Sequence, residues 1–217
     1  ALYTLLSVKE KKPKHPLKPS VVPAWIDTFR VDLKANRPFM WFLISRMAVF
    51  MGLATVQQFA LYFFRDVAGG TDPAAATTRF LIISVVFMLI AVLPAGYLSD
   101  RIGRKPVAAT SAFVGATGIL IILINQSVVV LMAGASIIGI SLGAFTSTNW
   151  ALATDLVAKG QEAKYLGIAN MATAGGSALA RLIGPVIDFF NQFGPNTGYY
   201  VMLLACMIYF IAGGLIL

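Results

Sequence analysis

Residues 96–106 read Gly-Tyr-Leu-Ser-Asp-Arg-Ile-Gly-Arg-Lys-Pro and connect two long apolar segments of the chain. The residue types suit a sharp reversal between two helices. Gly96 lets a neighbouring helix come close, Gly103 permits a tight turn, and Pro106 suits the first turn of the following helix. The stretch therefore predicts two helices joined by a short turn at residues 103–106.

The charged residues of this stretch form a cluster at a predicted helix end. Asp100 can pair with Arg101 or Arg104, or it can lie at the positive amino end of an adjacent helix. One interpretation is a latch that holds two helical bundles together and releases them when they move apart. The alternative is a membrane anchor of basic residues beside ordinary turn residues.

The rest of the chain has the composition of a membrane protein. Of its 217 residues, 58% are hydrophobic and only 12% are charged, whereas a soluble domain has about 25% charged residues. Apolar segments of about 18 residues or more recur, and each can cross a hydrocarbon core of about 30 Å as a helix. Because these segments are continuously apolar, they disfavour a membrane barrel, whose strands alternate. We predict an all-α polytopic protein that lies in a lipid bilayer.

Six transmembrane helices are predicted, and turn residues separate them. The predicted spans are residues 39–64, 78–98, 107–124, 128–152, 165–190 and 198–217. The breaks are predicted at residues 69–73, 103–106, 125–126, 159–160 and 194–196. The third and sixth spans are almost wholly apolar and are expected to face lipid. Before the first span, an apolar stripe within residues 22–34 predicts a helix in the membrane interface.

Basic residues are concentrated on one predicted side of the membrane. Thirteen of the 17 Lys and Arg residues fall on that side, and the other side has only Arg65 and Arg79. Arg46 and Arg181 lie inside spans. The positive-inside rule makes the crowded side cytoplasmic, so both chain ends are expected in the cytoplasm. The rule also accounts for the net charge of +8, and we expect no nucleic-acid partner.

Residues 96–106 resemble the signature loop of the major facilitator superfamily. That loop runs glycine, any residue, leucine, a small residue, aspartate, arginine, any residue, glycine, arginine, and lysine or arginine. The resemblance implies that the six spans are the carboxy-terminal half of a twelve-helix transporter in the plasma or inner cell membrane. It also implies a gating loop formed by Gly96, Asp100, Arg101, Gly103, Arg104 and Lys105.

The same resemblance assigns the remaining part of the chain and a partner. Residues 1–37 are similar to the end of a preceding span, a basic cytoplasmic loop and an interfacial helix, and residues 38–217 would be the six-helix bundle. The expected partner of this bundle is an amino-terminal six-helix half of the same chain.

Two predicted spans carry polar residues at bilayer depth, where a charge is costly and needs a reason. In the fifth span, helical spacing brings the polar residues from Asn170 to Arg181 onto one face, and Arg181 lies near mid-membrane. An alternative is that Arg181 reaches outward to Asp188 as a buried pair. In the first span, the long stem of Arg46 could also snorkel to the interface. The predicted substrate pathway consists of Arg46, Gln57, Gln58, Asn170, Thr173, Ser177 and Arg181.

Three classes of function fit such a membrane protein: a transporter, an enzyme, and a scaffold or sensor. An enzyme is not expected, because His15 and Cys206 are isolated and no acid–base pair, nucleophile or metal set is visible in the spans. No catalytic residue, metal or cofactor is therefore predicted. A secondary transporter of a small solute that works by alternating access is the first hypothesis.

The substrate is indicated only by a looser similarity. Residues 149–157 and 167–188 are similar to the sugar–cation symporter branch of the superfamily, which implies a sugar-like solute moved by symport. Efflux of a drug or metabolite is the competing interpretation. Asp188 is the only acidic residue within a span. We therefore expect that the coupling acids lie outside this chain, or that the carrier is a facilitator.

Overall fold

The computed structural model describes residues 36–69, 72–157 and 162–217. These residues belong to one compact unit. The predicted interfacial helix and basic loop, and the predicted break at residues 159–160, lie outside the described residues. The division of the chain at residue 37 stays a prediction.

The described residues form helices and contain no strand. In chain order the helices are α1 (Arg37–Asp66), α2 (Pro73–Ile102), α3 (Arg104–Ile124), α4 (Val128–Asp155), α5 (Glu162–Leu179), α6 (Ile183–Asn191) and α7 (Thr197–Ile216). Among them, α1 to α4 and α7 are long and apolar enough to cross a membrane. The all-α membrane bundle expected from the sequence is confirmed.

Helix ends follow local capping chemistry. The side chain of Asn36 accepts a hydrogen bond from the amide of Phe39 at the start of α1, and that of Asp72 accepts one from Ala75 at the start of α2. The turn predicted at residues 103–106 is shorter than expected, because only Gly103 interrupts the helices. Its φ of 101° favours glycine. Residues 104–106 instead form the first turn of α3.

The fifth predicted span is divided into two helices. Between α5 and α6, Ala180–Leu182 form one tighter 3₁₀ turn. Pro185 explains the break, because it has no N–H to donate to the carbonyl of residue 181 and its ring crowds that carbonyl. The break lies just before Gly184 and Pro185. Arg181 consequently lies in the turn rather than in a continuous helix.

Glycines bring α2 and α4 into backbone contact. A Cβ atom at Gly139 would lie 2.2 Å from the carbonyl oxygen of Ser84, and one at Gly143 would lie 2.2 Å from that of Met88. Ser84 Oγ also donates a hydrogen bond to the carbonyl of Ala135 across the same contact, at 3.1 Å. These glycines are packing positions. Along this line, α4 holds α2 with its backbone rather than with side chains.

The helices alternate in direction, so the bundle has two distinct ends. One end, called here the basic end, contains the first residues of α1, α3 and α5 and the last residues of α2, α4 and α7. There Asn36 donates a hydrogen bond to the carbonyl of Leu156, at 3.3 Å. We call the opposite end the far end, where the ring of Phe64 packs edge-on against Phe80 with centroids 5.7 Å apart.

Of the membrane-spanning helices, α2 has the smallest buried fraction. The sequence did not predict this. Only Phe80, Ala95 and Ser99 of this helix are buried, and Leu93 and Ile90 are largely exposed, at 80% and 61%. By contrast, α3 and α7 each bury one side against other helices and expose the other. The expectation that α3 and α7 face lipid therefore fits only one side of each.

Candidate transport site

A polar chain of hydrogen bonds crosses from α1 to the broken span at its exposed surface. Gln58 Nε2 donates to the carbonyl of Ser177 at 3.2 Å, and Arg181 Nε donates to Gln58 Oε1 at 3.1 Å. The Arg181 side chain is exposed and the amide of Gln58 is half-buried. The structure thus brings together three of the predicted pathway residues on a surface that remains open.

Two further predicted pathway residues lie apart from this chain. Asn170 is exposed on α5, nearer the basic end. Gln57 is also exposed, but it lines a crevice with Leu53 of α1 and Ser84 of α2. It therefore faces α2, whereas its neighbour Gln58 faces α5. Consecutive positions on a helix point about 100° apart, which accounts for this separation.

Arg46 occupies a quite different environment. Its side chain is only 2% exposed. Nε donates to Thr173 Oγ1 at 2.8 Å, and Nη1 donates to Asn149 Oδ1. The guanidinium lies over the rings of Phe50 and Trp150, 5.3 and 4.8 Å from their centroids. The snorkelling alternative is wrong for this residue, because its head group ends inside the bundle instead of at the interface.

The arrangement around Arg46 includes a residue that sequence reasoning missed. Asn149 was not among the predicted pathway residues, yet it is fully buried and accepts a hydrogen bond from Arg46. A buried arginine on one span needs an acceptor on another, and Asn149 was an available amide at a similar depth. Arg46 and Thr173 are hydrogen-bonded to each other, but among the described residues neither is bonded to Gln58 or Arg181.

The far end carries a separate charged group. Arg65 pairs with Asp66 at 2.7 Å, and the hydroxyl of Tyr199 donates to the same carboxylate. These residues line a cavity of about 360 Å³ together with Asp188. The ion pairs found among the described residues do not join Arg181 to Asp188, so the outward buried pair is not formed.

The predicted gating loop is centred on Arg104. Its guanidinium pairs with Asp155 at the end of α4, at 2.7 Å, and more distantly with Asp100, at 3.8 Å. It also donates to the carbonyl of Ala151. Arg101 does not pair with Asp100, and it lies over the ring of Tyr97 instead, 4.5 Å from the centroid. Arg104 thus links α2, α3 and α4 at the basic end.

The remaining loop residues have structural positions. Lys105 lines a basic-end cavity of about 230 Å³ together with Arg37. A Cβ atom at Gly96 would lie 3.2 Å from Ser147 Oγ of α4, in agreement with the predicted close approach. Asp155 is the partner that the sequence did not identify, since nothing in its neighbourhood marks it as facing residue 104. Among the described residues no group of His, Cys, Asp or Glu is suited to hold a metal ion.

The described residues form a helical bundle with five helices long and apolar enough to cross a membrane, and this architecture is that of a polytopic membrane protein. The family is shown by sequence comparison. The profile of the Major Facilitator Superfamily matches residues 68–217. The chain belongs to that superfamily.

Three curated relatives are similar to parts of the chain. The minor myo-inositol transporter IolF of Bacillus subtilis is 29% identical over 122 residues, which are 56% of this chain and 28% of the relative. An uncharacterized transporter of Buchnera aphidicola is 26% identical over 191 residues, 83% of this chain and 46% of the relative. The inner membrane transport protein YajR of Escherichia coli is 32% identical over 95 residues, 44% of this chain and 20% of the relative.

The fold is similar to that of a solved membrane protein. The crystal structure of tetrameric PepTSo2 superposes with a TM-score of 0.73 and 17% sequence identity, over 81% of this chain and 38% of that one. At this identity the likeness shows the fold alone. The chain spans less than half the length of each of these relatives.

Proposed function

We propose that the full-length protein is a secondary transporter that moves a small solute across a cell membrane by alternating access. Membership of the Major Facilitator Superfamily supports transport, since the relatives named above are described as transporters. The observation that carries the proposal is the exposed chain from Arg181 through Gln58 to Ser177. A charged group and an amide at this depth are costly unless they face water or a polar solute.

The proposed solute is sugar-like and moves together with a cation. The amide of Gln58 and the guanidinium of Arg181 offer acceptors and donors of the kind that sugar hydroxyls need. One relative is named as a myo-inositol transporter, which supports a polyol or sugar. The cation is supported by the similarity of residues 149–157 and 167–188 to the sugar–cation symporter branch.

Arg104 and its two carboxylates are the proposed gate at the basic end. The Arg104–Asp155 pair is short, and the pair with Asp100 is longer, so the guanidinium can hold one carboxylate while releasing the other. The gate would tie α2, α3 and α4 together when the basic end is closed. The excess of basic residues supports a cytoplasmic location for this end.

The proposed partner within the protein is a second six-helix bundle against which this one rocks. Alternating access needs two bundles around a central site. The relatives are longer than this chain, which supports a further half.

The test is transport by the purified full-length protein in proteoliposomes. Labelled myo-inositol, glucose, xylose and an amphipathic drug would be offered, each with and without a proton or sodium gradient, and protein-free liposomes would be the control. We expect saturable uptake of a polyol or sugar that a cation gradient drives above equilibrium. Drug accumulation in place of sugar uptake would favour the efflux alternative. A correctly folded protein that moved no compound would favour a scaffold or sensor.

A further inference from the structure

Arg46, Thr173, Asn149 and the rings of Phe50 and Trp150 form a group called here the Arg46 cluster. It holds an isolated positive charge inside the bundle. Arg46 follows the start of α1 by nine positions, which is about 13 Å along a helix. Its 2% exposure leaves the guanidinium without bulk water. Within residues 36–69, 72–157 and 162–217, no carboxylate forms an ion pair with it. A buried ion without a counter-charge is strongly disfavoured, so a negative partner would stabilise this site.

The hydrogen bonds of the cluster show a second deficit, which is a shortage of acceptors. The two acceptors that Arg46 uses are a hydroxyl, on Thr173, and an amide oxygen, on Asn149. Within the part of the chain that the structure describes, the amide nitrogen of Asn149 has no hydrogen-bond partner, although the residue is fully buried. A buried N–H without an acceptor loses about 1–3 kcal/mol. The cluster therefore has more donors than acceptors as well as an excess positive charge.

Both deficits are met by one small oxyanion. A carboxylate has one negative charge and two acceptor oxygens, and guanidinium groups bind it in a matching planar geometry. Phe50 and Trp150 approach the guanidinium within 5.3 Å of their centroids, and cation–π contacts use the ring faces. The N–H groups of Arg46 remain the hydrogen-bonding elements of the cluster.

The ring of Trp150 lies against the guanidinium of Arg46 and is itself partly exposed. Its side chain is 41% exposed, whereas Arg46 and Asn149 are not. For an anion from solution to reach the guanidinium, the indole ring would have to turn aside. Among the described residues no carboxylate pairs with Arg46, so the inferred occupant is a free anion.

We propose that Arg46 and Asn149 form a binding site for a small carboxylate anion from solution, covered by the Trp150 ring. The site touches α1, α4 and α5 through Arg46, Asn149 and Thr173. A bound anion would therefore link three helices near the basic end, and it would bias any movement between them. This last consequence rests on the proposed transport function, but the binding itself does not.

The binding is tested on the purified full-length protein in detergent. Thermal unfolding would be followed as sodium acetate is raised at constant ionic strength, with sodium chloride as the replaced salt. We expect the melting temperature to rise with acetate and to saturate. Arg46→Gln should abolish the rise. Arg181→Gln should keep it, because Arg181 belongs to a different site.

A second variant keeps the test decisive if Arg46→Gln fails to fold. Asn149→Asp has nearly the same shape and puts a carboxylate beside Arg46. We expect it to melt at a higher temperature than the wild type without acetate and to show no response to acetate. An unchanged acetate response in Asn149→Asp or Arg46→Gln would overturn the proposal, and so would a wild-type protein that acetate does not stabilise. A protein that transports sugars yet ignores acetate would overturn only this inference.

Discussion

The two arginines within the spans, Arg46 and Arg181, sit in opposite surroundings. Arg46 is enclosed by three helices, with hydrogen bonds to Thr173 and Asn149 and two aromatic rings nearby. Arg181 is exposed, and its side chain donates to Gln58 alone among the described residues. The same residue type at membrane depth thus serves as an internal tie in one place and as an open donor in the other.

Helix continuity accounts for the difference. Around Arg46, α1 and α5 are unbroken, and a Cβ atom at Gly176 of α5 would lie 2.6 Å from the carbonyl oxygen of Met47. That close approach closes the helices over the side chain. Arg181 lies in the 3₁₀ turn where the span is interrupted. The depth of a charged residue therefore does not decide its role, and the packing of its own helix does.

The largest expected contrast is in accessibility, and it can be measured with two asparagines. Asn170 is exposed and Asn149 is fully buried. A cysteine at position 170 should react with a water-soluble thiol reagent, while one at position 149 should remain unmodified over the same time. The native Cys206 is buried, so the unchanged protein is the background control. Equal labelling at both positions would remove the distinction between the two sites.

Replacing the open arginine should affect transport without affecting folding. Arg181→Ala removes a charged donor from the proposed solute site, and such hydrogen bonds contribute about 1.5–3 kcal/mol. Transport should fall about 10- to 100-fold. Uptake in proteoliposomes, together with a melting curve, would measure both effects. Arg181→Lys should lose less, since it keeps the charge. Full transport by Arg181→Ala would end the pathway role of this residue.

The closed region should be sensitive to one added methyl group. Gly176→Ala would place a carbon against the carbonyl of Met47 and push α5 away from α1, at a cost of about 1–3 kcal/mol. Gly175→Ala is the matched control, because a Cβ atom there meets nothing within 4 Å. Thermal unfolding of the two variants should differ clearly, with Gly176→Ala the less stable. Equal melting temperatures would mean that the close approach does not hold the Arg46 region shut.

The last expected effect concerns the hydroxyl that Arg46 uses. Thr173→Val removes the acceptor of Arg46 Nε while keeping the side-chain shape, and the protein should lose about 1–3 kcal/mol of stability. Thr173→Ser keeps the hydroxyl and should be closer to the wild type. Thermal unfolding is again the measurement. Greater stability of the valine variant would show that the hydroxyl contributes nothing to holding Arg46.

The sequence predicted the fold better than it predicted the two sites. Spans are long continuous runs, and their solvent requirement is visible residue by residue. Gly103 was also visible as a turn, because few other residues adopt its backbone conformation. The partners Asn149 and Asp155 were not predicted from the sequence, because each contacts its arginine only through the packing of separate helices. Periodicity along one helix carries no information about which face of another helix it meets.

The backbone contact at Gly139 and Gly143 has a mechanical consequence. Two surfaces that meet through side chains can slide, because rotamers readjust, but carbonyl groups lodged against glycines cannot. We therefore expect α2 and α4 to move as one rigid unit. A tilt imposed at its basic end through Arg104 would then be carried to the far end, and the 3₁₀ turn at Ala180–Leu182 would be the place where the bundle bends.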